Sequence, residues 1–204
     1  MRSISMIKQY SSSLLAIFAL LSITACTTSS SMHQQTVPNA AYKDAQEWTN
    51  PQLYLLPEPG SVEETEMLDA VKSLFSEYTP ENLAANVQKV YAEKIYFRDA
   101  FEQLDSSEDL KAYFLKSMES LEACEFIFNR ISRSGGDFYI DWTMRVDFKK
   151  TPKGTWEESM GITRMRFNSE GQVIFHQDYW DPTDIIYVRI PIAKQLIAYT
   201  KRKL

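Results

Sequence analysis

The chain has 204 residues, a formal net charge of −5, 24% charged and 44% apolar residues, and two cysteines, Cys26 and Cys124. An acidic balance argues against nucleic acid as a partner, because phosphate binding needs a basic surface. One histidine, His176, and one cysteine, Cys124, in the body of the chain offer no zinc-type ligand cluster, and no Gly-rich loop is placed to cradle a phosphate.

Arg2 and Lys8 precede an apolar run from Leu14 to Leu21, followed by Ile23-Thr24-Ala25-Cys26. A positive start, a short apolar stretch and small residues before a cut predict a secretory signal over residues 1–25. The run is too short for a lasting bilayer span. The tetrapeptide resembles the lipobox of bacterial lipoproteins, whose cysteine carries palmitate-type acyl chains on its sulfur and on its new amine. That resemblance implies lipidation at Cys26 and a membrane as partner, since several acyl chains hold far better than one. With Thr27 rather than Asp after the cysteine, it also implies an outer-membrane anchor facing the periplasm. Loss of residues 1–25 removes two positive charges and no negative one, taking the net charge from −5 to −7. Cys124 would then be the sole free thiol, so the fold must rest on its core rather than on a disulfide.

Residues 26–59 are polar, broken by proline and without an apolar period, which predicts a tether; Tyr54, Leu55 and Leu56 could dock it. Residues 60–204 have the size of one domain. Ser61 and Glu64 form a capping box ahead of Met67, Leu68, Val71, Leu74, Phe75 and Tyr78 at helical spacing. Thr79-Pro80 opens a second helix bearing Leu83, Val87, Val90 and Tyr91. Lys94 to Asp99 reads as a short strand. Ser106 and Asp109 cap a third helix with Leu110, Tyr113, Phe114, Met118 and Leu121 on one side.

From Cys124 the period changes to two. Strands are predicted at Cys124–Ser132, Phe138–Phe148, Trp156–Phe167 and Gln172–Trp180, joined by Gly135-Gly136, Pro152-Lys153-Gly154 and Asn168–Gly171 turns. They form an antiparallel meander with one buried face. Pro191 starts a last helix whose Lys201, Arg202 and Lys203 suit the negative end of the helix dipole, and could also touch lipid headgroups.

Helix, helix, short strand, helix and long antiparallel strands is the element order of the nuclear-transport-factor-2-like, or SnoaL-like, superfamily. Ile95-Tyr96-Phe97-Arg98-Asp99, Gly161-x-Thr163-x-Met165-x-Phe167 and His176-Gln177-Asp178-Tyr179-Trp180-Asp181 carry the resemblance. It implies an α+β fold in which a strongly curved antiparallel sheet wraps helices and leaves a conical cavity. The superfamily holds isomerases, polyketide cyclases, hydrolases and non-catalytic binders, so the fold does not choose the chemistry.

Alternation on the last strand puts Ile174, His176, Asp178 and Trp180 on one face, with His176 and Asp178 about 7 Å apart along the strand. A carboxylate in an apolar cavity can act as general base or hydrogen-bond donor. Asp178 is therefore the first candidate base, with His176 its partner and Asp99 a second carboxylate. The resemblance implies cofactor-free proton transfer beside a carbonyl, with Tyr96 and Tyr113 as donors and Phe97, Trp142 and Trp180 shaping the cavity. Against this stand structural roles: Asp178 paired with Arg164, Arg166 or Arg189, Asp99 as a turn acid, His176 as a core group, the aromatics as core, and Cys124 as a buried thiol. Because no acid–base pair is unambiguous, binding of a small apolar or carbonyl-bearing molecule, or of a protein partner or second copy on the sheet face, is preferred to catalysis.

Overall fold

The structure is a computed structural model describing residues 39–203. The signal segment, Cys26 and the first part of the expected tether lie outside the described residues.

The three central helices begin where side chains can satisfy their first amides. In α2 (Val62–Ser76), Ser61 Oγ accepts from the Glu64 amide at 3.1 Å, and Glu64 accepts from the Gly60 amide at 2.6 Å. In α3 (Pro80–Val90), Thr79 Oγ1 accepts from the Asn82 amide; in α4 (Ser107–Met118), Ser106 Oγ accepts from the Asp109 amide. Each helix buries one stripe, led by Val71, Leu74 and Phe75, by Leu83 and Val87, and by Leu110 and Phe114. Full burial of such a side chain contributes roughly 2 kcal/mol against leaving it in water.

These stripes pack on the inner face of a curved six-stranded sheet. Its strands are β1 (Tyr91–Arg98), β2 (Gln103–Ser106), β3 (Leu121–Ser134), β4 (Asp137–Phe148), β5 (Trp156–Phe167) and β6 (Val173–Trp180), in the order β2-β1-β6-β5-β4-β3. The meander β3 to β6 is antiparallel, as expected, but β1 lies parallel to β6, so the sheet is mixed. Parallel neighbours need a long crossover, and everything from β2 to β5 supplies it.

Three elements differ from the sequence reading. Leu121, expected on the third helix, opens β3 instead. Tyr91, expected on a helix face, is the first residue of β1: Val87, Val90 and Tyr91 fit helical spacing, and that spacing cannot locate where the helix stops. Strand β2 was not expected, since four residues with Leu104 as their only large apolar member show no alternation; its pairing comes from β1.

Residues 40–56, read from sequence as part of a polar tether, are folded onto the domain. Helix α1 (Ala40–Trp48) lies on the outer face of the sheet, with Ala45 buried among Tyr96 and Phe175, and Tyr42 and Trp48 at its margins. The rest of the attachment is polar, which explains the missing apolar period. Gln46 Oε1 accepts from both Arg164 and Arg166 at 3.0 Å, and Arg166 donates to Thr49 Oγ1 at 3.0 Å. A single turn, Pro51–Leu53, then seats on the β3–β4 hairpin so closely that a Cβ on Gly136 would fall 2.2 Å from Pro51. Leu56 reaches the core, Tyr54 donates to the Trp48 carbonyl, and Leu55 stays exposed.

A final helix, α5 (Pro191–Lys203), follows the single turn Tyr187–Arg189 and buries no side chain.

Candidate functional site

Strand β6 sends alternate side chains to opposite faces, and its neighbours decide what they meet. Inward, His176 lies opposite Met165 and Asp178 opposite Thr163 of β5; one strand further, Trp142 of β4 lies opposite Gly161. Gly161 is required there. A Cβ at that position would come 2.4 Å from two indole carbons of Trp142, so only glycine lets the ring lie against the strand.

From that position the Trp142 indole Nε1 donates to Thr163 Oγ1 at 2.8 Å. Thr163 in turn donates to Asp178 Oδ1, and His176 Nε2 lies 2.8 Å from the same oxygen. His176 Nδ1 lies 2.8 Å from the hydroxyl of Tyr91. The i, i+2 spacing suggested two groups a substrate could bridge; instead the imidazole leans along the strand and meets the carboxylate directly.

The direction of this chain follows from Asp178, whose carboxylate can only accept, so Nε2 of His176 is the donor to it and Nδ1 faces the Tyr91 hydroxyl. The Tyr91 phenol is fully buried, and burial, reinforced by the negative Asp178, holds its pKa well above the ordinary value, so it keeps its proton to donate to Nδ1. His176, only 3% exposed, is satisfied at both nitrogens.

The chain ends at a chamber of about 230 Å³ between α2, α4 and the sheet. Phe97 of β1, Trp142, Trp180 and Phe114 line it. Phe101, Phe75 and Tyr78 also line it, and the sequence reading had not marked them. Asp178 and Asp99 both reach the chamber. Thr163 and His176 both meet Asp178 at Oδ1. Asp99 is fully engaged: Oδ1 accepts from the amides of Phe101 and Glu102 at 2.8 Å, and Oδ2 accepts from the Tyr113 hydroxyl at 2.6 Å. Burial and the charge of Asp99 push the Tyr113 phenol far up, so it remains a donor to that carboxylate.

Two expected roles are not supported by these positions. Tyr96 faces away from the chamber: its ring stacks on Phe175 under α1 and its hydroxyl donates to Gln177. The expected partners of Asp178, Arg164, Arg166 and Arg189, pair elsewhere. Arg164 and Arg166 hold Asp137 on the outer face, and Arg189 pairs with Glu157. Burial alone would raise the pKa of Asp137, but the two guanidinium groups bring it below its ordinary value. Cys124 lines the chamber with its thiol pushed up by burial to about 12, which disfavours a nucleophilic thiolate.

Asp99, Asp178 and Trp180 are shared with a second, more polar hollow of about 520 Å³, to which Tyr42 and Lys43 of α1 and Arg98 of β1 contribute. Of the residues the sequence reading missed, Thr163 could not be placed from the Asn168–Gly171 turn, which pairs Phe167 with Val173; a bulge between Arg166 and Phe167 shifts the register by one and brings Thr163 opposite Asp178. Tyr91 carried no signal while it counted as helical.

No family model matches the chain, and no curated protein matches it. Solved structures do share its fold. A protein with a ketosteroid-isomerase-like fold from Catenulispora acidiphila, in complex with trimethylamine, is 16% identical, with a TM-score of 0.51 over 59% of this chain and 88% of that one. A nuclear-transport-factor-2-like protein of unknown function from Burkholderia pseudomallei is 12% identical, with a TM-score of 0.51 over 61% and 95%. A SnoaL-like protein from Jannaschia, named for polyketide cyclase activity, is 15% identical, with a TM-score of 0.50 over 62% and 93%. The domain thus has the nuclear-transport-factor-2-like fold.

Proposed function

We propose that the chain is an envelope lipoprotein, anchored through Cys26, whose domain binds a small apolar molecule in the inner chamber without transforming it. The observation that carries the binding reading is the chamber itself. At about 230 Å³ it exceeds the roughly 150 Å³ of an apolar cavity able to admit benzene, and its walls are largely aromatic. The absence of catalysis is supported by how its acid–base groups are used. Both nitrogens of His176 and both oxygens of Asp99 already have partners within the fold.

Catalysis keeps a second place for one reason. Asp178 reaches the chamber with Thr163 and His176 both meeting it at Oδ1, an arrangement open to a general base. The two readings separate by experiment. A ligand present at a hundred times its dissociation constant stabilises the native state by about 2.7 kcal/mol. For a domain of this size that raises the melting temperature of the full chain by roughly 5–10 °C. Failure of every apolar small molecule in a broad panel to raise it would remove the binding reading. Turnover of a carbonyl substrate, lost in Asp178→Asn, would establish the catalytic one.

The anchor follows from the lipobox resemblance. Growth in labelled palmitate should mark the wild-type chain and not Cys26→Ser; equal labelling would exclude it. The outer face, where Met160, Ile162 and Tyr179 are exposed beside one another on β5 and β6, is the surface we assign to a protein partner or second copy.

A further inference from the structure

If the chamber binds a small molecule, as proposed above, its lining restricts the class of that molecule. Ten of its twenty lining residues are aromatic, two are the carboxylates Asp99 and Asp178, and among the described residues none is Lys, Arg or His. Aromatic faces carry the negative lobe of the ring quadrupole and attract cations within about 6 Å of the centroid.

The hydroxyl groups of the lining point the same way. Tyr113 donates to Asp99, Ser117 donates to the Phe114 carbonyl, and Ser120 donates to the Ser117 carbonyl. With its own hydrogen committed, Ser117 Oγ can only accept from Tyr78, 3.4 Å away. The Trp142 indole is committed to Thr163. Every hydroxyl hydrogen of the wall therefore already has an acceptor, and a ligand carbonyl or carboxylate would find no hydroxyl to receive it. What the wall offers is acceptors and π faces.

Its rings can hold a cation, as one of them already does. The Arg189 guanidinium stands 3.6 Å from the centroid of Phe148, a lining residue, with its charge paired to Glu157. Lys43 and Arg98 belong to the outer hollow and not to the chamber lining.

We infer that the chamber takes a small organic cation, an amine or quaternary ammonium on an apolar body, with its charge against Asp178 and its substituents among the rings. The bound charge replaces its hydration with a carboxylate and aromatic faces, whereas an anion would meet two like charges.

Calorimetric titration of the full chain in nanodiscs with three soluble probes of similar size tests this: benzyltrimethylammonium, the neutral carbonyl compound N,N-dimethylbenzamide, and phenylacetate. The cation should bind at least tenfold more tightly than the amide, and phenylacetate more weakly than either. Asp178→Asn should lower the affinity for the cation about tenfold, with an unchanged circular-dichroism spectrum certifying the fold of the variant. An amide that binds wild-type protein as tightly as the cation would overturn the cationic class while leaving a binding chamber in place. Silence from all three probes would count against the binding reading itself. The wild-type comparison needs no variant.

Discussion

Strand β6 runs between two polar assemblies that use charge in opposite ways. On the outer face, Arg164, Arg166, Asp137, Gln46 and Thr49 form a cluster whose purpose is to seat α1. Its two guanidinium groups share one carboxylate and also stand over the ring of Phe175 at 5.3 and 5.4 Å. On the inner face, Tyr91, His176, Asp178, Thr163 and Trp142 form a chain with a single carboxylate, and that carboxylate borders empty space. A polar cluster closed on itself holds structure together, whereas one that ends at a cavity has something left to offer a ligand.

The largest effect should come from breaking the closed cluster. Arg166 is 6% exposed, and Arg166→Met would strand part of the Asp137 charge and remove the bonds to Thr49. Removing one partner of a buried pair costs about 3–5 kcal/mol, so urea unfolding should show a loss near the lower figure, because Arg164 remains. A change below about 1 kcal/mol would mean that the cluster is not what holds α1.

Gly161→Ala comes next. The added methyl collides with the Trp142 indole, and overpacking of this kind costs roughly 1–3 kcal/mol. The displaced ring should also lose its bond to Thr163, visible as a shift in tryptophan emission. Unchanged emission and stability would contradict the packing described.

Tyr91→Phe removes one hydroxyl from the inner chain and should cost about 1 kcal/mol. The more telling readout is nitrogen NMR of His176, where loss of the donor to Nδ1 should shift the Nδ1 signal. An unaltered spectrum would show that Tyr91 does not donate to Nδ1.

The smallest effect concerns acid. Because the folded pKa of Asp137 is depressed, its contribution to stability is present above the unfolded value of about 3.9 and is lost as pH falls through the folded value. Asp137→Asn should therefore lower stability at neutral pH and flatten its decline below about pH 4. A variant whose acid profile parallels the wild type would remove Asp137 from the account.

Much of the inner assembly could be read from the sequence, and little of the outer one. Capping pairs Ser61/Glu64, Thr79-Pro80 and Ser106/Asp109 place helices locally, and period two along Phe138–Phe148 fixes which face of β4 is inside. The same alternation put His176, Asp178 and Trp180 on one wall. It did not separate Tyr96 from Phe97 by role, since Ile95, Tyr96 and Phe97 are consecutive and all buried, Phe97 in the main core and Tyr96 under α1. Helix α1 was invisible because side-chain hydrogen bonds to arginines more than a hundred residues away hold it, and these leave no local period. The parallel seam between β1 and β6 is likewise a matter of topology, with nothing in either strand to announce it.

The most direct test of the chamber is native mass spectrometry of the full chain purified from its own host membranes, beside a Ser120→Trp variant. Ser120 is an exposed residue of the lining, so an indole there should obstruct the chamber at little expense to the fold. The account predicts a bound small molecule on the wild-type protein that the variant lacks. Identical ligand-free masses, or the same adduct on both, would contradict it.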